Sequence, residues 1–464
     1  MSTLSDRYAS QAMRDIWSRE SKVRAERKLW IAVTRFQSKA LDIPEKSLQD
    51  YEKVLDQVDL NSIDNREKKT RHDVKARIDE FNELAGHQYI HLGMTSRDLT
   101  ENIEAFQIKR ALLLIQERTA ALLFNLGESA KKYAEQPIVA RTHNVPAQLT
   151  TLGKRFATFG EELLFAFDRL NNLIERYPLR GIKGPVGTEQ DIRDLIGDEN
   201  EELEKVIAKS LGFTKTLDAT SQIYPRSFDL DVVSALLQLA AAPSNLATAV
   251  RLMAGAGLAT EGFKAGQTGS SAMPHKMNAR SSERINGLTA VLSGYLTMVS
   301  QISGAQWNEG DVSDSVVRRV ALSDAFYALD GIIETALTIL NEFGIFEARI
   351  SAEIESELPF LATTKFLMAA IKNGAKRESA HEAIKELSTK AIIDRQSGKD
   401  SSLIDALAAD SRIPLDKPAL DLLIANRSEF LGNAEMQTAR VIKRIKSAIA
   451  PFPNAATYQP AEIR

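Results

Sequence analysis

One feature governs what this chain can fold into: apolar residues recur every three or four positions over very long stretches. From Leu152 the series runs Leu152, Phe156, Phe159, Leu163, Phe167, Leu170 and Ile174. Every member falls on one stripe of an α-helix about six turns long. A second series, Leu99, Ile103, Phe106, Leu113, Leu122 and Leu126, follows Thr95-Ser-Arg-Asp98, whose spacing fits a capping box that opens a helix. The stretches 230–258, 281–305 and 315–343 behave alike. Helices of roughly 25–35 residues far exceed the usual ~11–12. The expected fold class is therefore all-α, built on a long bundle that also packs against other subunits.

Composition narrows the chemistry. The chain has 464 residues and no cysteine, which removes disulfide scaffolds, Cys-ligated zinc, iron–sulfur clusters and thiol nucleophiles. Acid–base work must come from six histidines, hydroxyls, carboxylates and amines. With 59 Lys+Arg against 62 Asp+Glu the net charge is −3, which offers no basic excess for nucleic acid. The most apolar stretch, 232–253, is broken by Gln238, Pro243, Ser244, Asn245 and Arg251, so it reads as a buried helix and no membrane partner is expected. Residues 1–20 carry Asp6, Arg7, Arg14, Asp15, Arg19 and Glu20, unlike a signal peptide, and a cytoplasmic location is expected.

Two segments interrupt the helical pattern. Gly181-Ile-Lys-Gly-Pro-Val-Gly-Thr188 is punctuated by glycine, and 265–277 holds Gly266, Gly269, Ser270, Ser271 and Pro274. Loops of this kind inside a helical scaffold are expected to be exposed and to carry function. Division near Thr95 and Phe346 gives an N-terminal helical domain (1–95), a central long-helix bundle with the loop (96–345) and a C-terminal helical domain (346–464).

Several patterns fail on inspection. Gly181, Gly184 and Gly187 stand three apart with no strand–helix frame, so dinucleotide binding is not indicated. His87-Gln-Tyr-Ile-His91 has the spacing of a helical zinc pair, yet Gln88 stands where a zinc hydrolase needs its Glu base. A metallohydrolase using His87 and His91 is the alternative from a different class.

Three segments gather His, Ser and Thr at the ends of long helices or in the loops before them, where unpaired N–H groups favour anions. They are Thr70-Arg-His-Asp-Val74 with His91-Leu-Gly-Met-Thr-Ser-Arg-Asp98, then Arg141-Thr-His-Asn-Val-Pro-Ala-Gln148, then 269–284. Read singly, His72 and His143 fit helix caps and Ser270 a loop serine. Together, Ser270-Ser-Ala-Met-Pro-His-Lys-Met-Asn278 resembles the S-S-x-M-P-x-K-x-N signature of the fumarase/aspartase superfamily. Within it, Arg7-Tyr-Ala-Ser10, the R-H-D, T-S and R-T-H segments, Arg180-Gly-Ile-Lys-Gly184, Pro359-Phe-Leu-Ala-Thr363 and Ser379-Ala-His-Glu382 resemble the adenylosuccinate lyases. The resemblance covers nearly the whole chain.

That resemblance implies β-elimination of fumarate from a small-molecule purine nucleotide: adenylosuccinate to AMP, and SAICAR to AICAR. It implies Ser270 as general base, His143 as general acid, His72 as a second site histidine, and Lys276 and Asn278 where negative charge accumulates. Arg7 and Tyr8 match phosphate and ribose contacts; Arg71 and Asp73 flank His72 in a nucleotide-contacting trio. Thr95 and Ser96 match the pair that grips a succinyl carboxylate, and Gln222 a substrate amide contact. Arg284, Ser315 and Arg319 match residues near phosphate and base. The resemblance further implies no metal, no cofactor, and a homotetramer with shared sites. Trp307-Asn-Glu-Gly310 departs from the W-x-E-R of many relatives, so Arg318 or Arg280 is expected to replace a missing cation. Met277, Ala279 and Val145 are lesser departures. Another fumarate-releasing lyase, such as argininosuccinate lyase, and a helical scaffold with a dead site are the nearer alternatives.

Overall fold

The structure, a computed structural model, describes residues 2–262, 273 and 276–463; Ser270, Ser271 and His275 lie outside the described residues. Five long helices form the centre: α1 (Ser96–Lys132), α2 (Leu152–Arg176), α3 (Ser227–Gly255), α4 (Arg280–Ile302) and α5 (Ser313–Glu342). The seven apolar residues that define the α2 stripe are all buried. On α1 the stripe passes through Leu112, buried, and leaves Leu113 exposed; adjacent residues point about 100° apart, so only one of the two can face the core. α3 runs unbroken through Pro243. It is long and apolar enough to cross a membrane by composition, yet it packs on α2, α4 and α5 as a core helix.

The bundle is tied together by α4 along both α3 and α5, and by α1 against α2 and α5. The helices Arg19–Gln37 and Asp73–Ala85 share its core: Trp30 and Phe81 are fully buried in the same apolar cluster as Leu99 and Phe167. Phe366, Leu407 and Leu420 centre a separate core in the C-terminal part. The helix Ala434–Ile449 then returns to the bundle, where Gly160 leaves room for the Ile445 side chain against α2.

Two short antiparallel ribbons stand among the described residues, neither expected from the sequence. β1 (Pro137–Thr142) pairs with β2 (Val145–Thr151) between α1 and α2, turning through His143 and Asn144 with φ of 53° and 61°. Two consecutive left-handed residues make the tight turn that matches strand twist. Ala259–Thr260 pairs with Gly344–Ile345, pinning the chain after α3 to the chain after α5. The ribbons are too short to alter the all-α class.

The N-terminus of α1 is fixed by Asp98. Its carboxylate accepts the Thr95 N–H at 2.8 Å, closing the capping box. The other oxygen takes Arg180 Nη1 at 2.6 Å and the backbone N–H groups of Lys183 and Gly184 at 2.9 and 3.0 Å. Asn102, one turn on, exchanges hydrogen bonds with both backbone groups of Gly181. Residues 180–184 are therefore buried, which corrects the expectation for the first half of this glycine-rich loop, while Pro185, Val186 and Thr188 are exposed as expected. The loop has a carboxylate and an amide to wrap, and its own polar backbone groups are satisfied by doing so. We predict that Asp98→Ala, by leaving Arg180 buried without a counter-charge, costs about 3–5 kcal/mol of stability. Urea unfolding of the variant against wild type reads this directly; an unchanged midpoint would refute it.

Candidate active site

The N-terminal ends of α1 and α5 and the helix Asp73–Ala85 meet around a cleft of ≈ 540 Å³. It brings together five of the residues expected at the site: His72, Asp73, Ser96, Ser315 and Arg319. His72 caps its helix, accepting the Lys75 N–H on Nδ1 at 3.2 Å, which leaves Nε2 facing Ser96 Oγ at 3.5 Å. Arg319 lies 3.9 Å from Asp73 and is largely solvent-exposed. Burial would raise the Asp73 carboxyl, but Arg77, the Val74 N–H and Lys22 outweigh it and hold it below the ordinary carboxylate range. Thr95 stands at the N-cap of α1 beside Ser96. Arg71 ends the preceding helix in a left-handed conformation, φ 53°, exposed and one residue from His72.

The floor of this cleft is an ion network. Arg318 donates to Glu104 at 2.6 Å, to Asp229 at 2.8 Å and to the Tyr224 hydroxyl. Arg226 holds Glu101 in a two-pronged contact at 2.8 and 2.9 Å. Burial alone would raise the Glu104 carboxyl; Arg318, then Lys22 and Arg226, bring it down to about 2. Arg318 is thus fully engaged and only 3% exposed, so it does not replace a cation missing at position 310. Arg280, the other expected substitute, is exposed at the start of α4. Sequence reading missed Arg97, whose Nη2 donates to Ser315 Oγ at 2.9 Å, and Lys22, 3.3 Å from Glu104; both line the cleft. Arg97 stands within the T-S-R-D run, beside the Ser96 assigned to the site.

A second cleft, ≈ 1010 Å³, holds Arg7 and Arg284. Both guanidiniums lie near the Tyr8 ring, 5.9 and 5.7 Å from its centre, so Arg7, Tyr8 and Arg284 form one cationic group. Glu261 and Ser281, on either side of the 263–272 segment in the chain, also line this cleft.

The remaining residues stand apart from these two groups. His143 is exposed at the tip of the β1–β2 ribbon and lines neither cleft. Gln222 donates its backbone N–H to the Glu309 carbonyl at 2.9 Å, next to Gly310. Lys276 is exposed and Asn278 half-buried, just beyond residues outside the description. Ser270 is among the latter.

The zinc pair does not form. Residues 87–91 are not helical, so the four-residue spacing does not bring both rings to one face. His87 Nε2 meets Asp50 at 2.9 Å, whereas His91 Nδ1 accepts the Trp30 indole N–H at 2.9 Å. Among the described residues no group of three His, Asp or Glu could hold a metal ion. The metallohydrolase reading is withdrawn.

Comparison with known proteins decides the family. A lyase family profile matches residues 2–294, and one described as adenylosuccinate lyase C-terminus matches residues 359–441. The chain is 32% identical to an adenylosuccinate lyase of Saccharomyces cerevisiae over 97% of its own length and 95% of the relative's. The chain belongs to the adenylosuccinate lyase family. A second member, from Schizosaccharomyces pombe, is 31% identical over 99% of this chain and 98% of its own. Among solved structures, a 3-carboxy-cis,cis-muconate lactonizing enzyme from Pseudomonas putida superposes with a TM-score of 0.84 at 20% identity, covering 96% of this chain and 99% of that one. A fumarate lyase from Mesorhizobium sp. BNC1 gives 0.80 at 19%, covering 94% and 98%. At such identities these two establish the shared fold. As a member of the adenylosuccinate lyase family the chain is a lyase of the fumarase/aspartase superfamily.

His91 yields a prediction on pH. Burial, opposed by Asp98 and reinforced by His72, pushes its imidazole down to about 4. A proton on Nδ1 would also abolish the bond from Trp30. Because the folded value lies below the unfolded ~6.5, the unfolded chain binds the extra proton as pH falls, and stability drops. The His91 contribution lost between pH 6.5 and 5 is about 1.5 kcal/mol. His91→Gln should flatten that limb of the urea midpoint against pH; an unchanged slope would count against a neutral His91.

Proposed function

We propose that this enzyme eliminates fumarate from adenylosuccinate, leaving AMP, and from SAICAR, leaving AICAR. The observation that carries the reading is the cluster of His72, Asp73, Ser96, Ser315 and Arg319 in one cleft at the N-terminus of a 37-residue helix. Unpaired N–H groups and the helix dipole there favour a carboxylate. Thr95 and Ser96 then grip the succinyl carboxylate, and His72 orients it.

The reaction breaks one C–H and one C–N bond and forms a C=C bond. Ser270 takes the proton from the carbon beside a succinyl carboxylate, and the electron pair is held as a doubly charged carboxylate form facing Lys276 and Asn278. Collapse to the alkene expels the purine-side nitrogen, which His143 protonates. Arg7 and Tyr8 serve the phosphate and ribose, Arg284, Ser315 and Arg319 the phosphate and base, Arg71 and Asp73 the nucleotide, and Gln222 a substrate amide. The same reading places the enzyme in the cytoplasm.

We assign a homotetramer with sites shared between subunits. Supporting this, His143 lines neither cleft within one chain, and the bundle exposes large apolar side chains: Phe165 on α2, Leu252 on α3, Val291 on α4, Val316 and Val320 on α5. Exposed apolar side chains of this size gain by being covered, as neighbouring copies would do.

Two experiments test the reading. Purified enzyme given adenylosuccinate should release fumarate, followed by ultraviolet absorbance, and should do the same with SAICAR. Release from neither substrate would overturn the assignment. Ser270→Ala and His143→Gln should fold normally yet lose on the order of 10²–10⁴-fold in kcat. Mixed, denatured and refolded together, the two inactive chains should regain part of the activity, because some sites then receive both intact residues. Tetramers with no recovery would argue against shared sites.

A further inference from the structure

Two buried carboxylates one turn apart on α5 hold segments distant in sequence on the same cleft. Asp330 Oδ2 accepts the Ser10 N–H at 2.6 Å. The neighbouring Gly331 lets the chain come closer still: a Cβ there would stand 2.7 Å from the Tyr8 carbonyl oxygen. These contacts seat Arg7 and Tyr8 against the bundle. Four residues on, Glu334 accepts the Tyr458 hydroxyl at 2.6 Å and the Ala461 N–H at 2.8 Å. Its charge is met by Arg118 at 3.3 Å, and the Arg118 guanidinium also lies 3.7 Å from the centre of the Tyr458 ring. The Glu334 side chain has no exposure to solvent.

Glu334 therefore fixes the course of 459–463, and that course is not idle. Gln459, Pro460, Ala461, Glu462 and Ile463 all line the cleft that contains Arg7 and Arg284. One wall of the cleft that holds Arg7, Arg14 and Arg284, and with them Asp6, Glu261, Glu342 and Glu462, is thus a run of backbone whose place depends on one buried carboxylate. We propose that residues 459–463 are a positioning wall for the phosphate monoester of the substrate, held by Glu334, and that they set the enzyme's affinity for the phosphorylated form. This rests on the reading of Arg7 and Arg284 as phosphate contacts.

The physical effect is desolvation. Ion contacts between guanidinium and phosphate weaken when water and salt reach them and strengthen when a wall excludes both. The wall need not touch the reacting bond, so its removal acts on binding and leaves the elimination step alone.

Deletion of 459–464 tests the proposal with little risk to folding, since Tyr458 and its bonds to Glu334 and Arg118 are kept. The deletion should raise KM for adenylosuccinate at least ten-fold with kcat within two-fold. For the dephosphorylated nucleoside, succinyladenosine, kcat/KM should be unchanged. Glu334→Gln, which weakens the hold on Ala461, should move KM for the nucleotide the same way by about three-fold. Binding of AMP, measured by calorimetry, should weaken with the deletion in step with KM. An AMP Kd unmoved by the deletion overturns the proposal, as does an equal loss for nucleotide and nucleoside. The separate failure of wild-type enzyme to release fumarate would strike the proposed reaction instead.

Discussion

The structure turns on a carboxylate placed where a helix begins. Asp98 caps α1 from within and binds Arg180 and two backbone N–H groups of the buried loop that follows α2. Paired and hydrogen-bonded in this way, a charge can be buried completely. The arrangement contributes geometry more than net energy, because the desolvation of both ions offsets much of their attraction. What it secures is the direction in which Thr95 and Ser96 leave the helix. A gap of one turn or a frayed start would scatter the N–H groups that make this end of α1 attractive to an anion.

The same helix repeats the device in its next turns. Glu101 and Glu104 bind Arg226 and Arg318, which also reach Asp314 on α5 and Asp229 on α3. Three bundle helices are locked in register beneath the cleft by charges that are buried except for Glu104, which borders the cleft. The cations above this floor are in a different state. Arg319 is exposed and barely engaged by Asp73. One set of arginines is satisfied by protein carboxylates and shapes the site; the other has capacity to spare for a ligand's charge.

How much of this was legible follows from the kind of signal involved. The five helices were readable because burying one stripe forces a 3.6-residue period, and their observed bounds fall within a few residues of the apolar series. The Thr95–Asp98 cap was readable for the same reason: it is local. Arg318 was not, since a charged residue on a helix looks the same whether it faces water or a buried carboxylate contributed by a segment 214 positions away. The ribbon carrying His143 left a faint trace in Asn144, a residue that tolerates the left-handed conformation its turn requires. The His87–His91 spacing misled because it presumed a helix where the chain turns through Gly86 and Gly93, both at positive φ. The group formed by Arg7, Tyr8 and Arg284 was named from resemblance; its proximity could not be read from positions so far apart.

Gly310 shows why a departure from a family pattern cannot be judged as a single side-chain exchange. Its φ is 143°, a conformation that residues with a Cβ rarely adopt. Its N–H bonds the Trp307 carbonyl at 2.9 Å, and the Glu309 carbonyl accepts the Gln222 N–H at 2.9 Å. A Cβ at 310 would stand 3.3 Å from Ile223 and 3.5 Å from Gln222. The turn is thus closed down onto the segment that carries Gln222, and an arginine there would need the turn to open and Gln222 to move with it. Arg318 cannot answer for the charge, being spent on Glu104 and Asp229; the cleft's other cations are Lys22, paired with Glu104, Arg97, paired with Glu101, and the exposed Arg319. Of these, Arg97 has its guanidinium on Ser315. The cleft therefore carries its cations on the helix Arg19–Gln37, on α1 and on α5, the last two already held in place by Asp98 and the ion network.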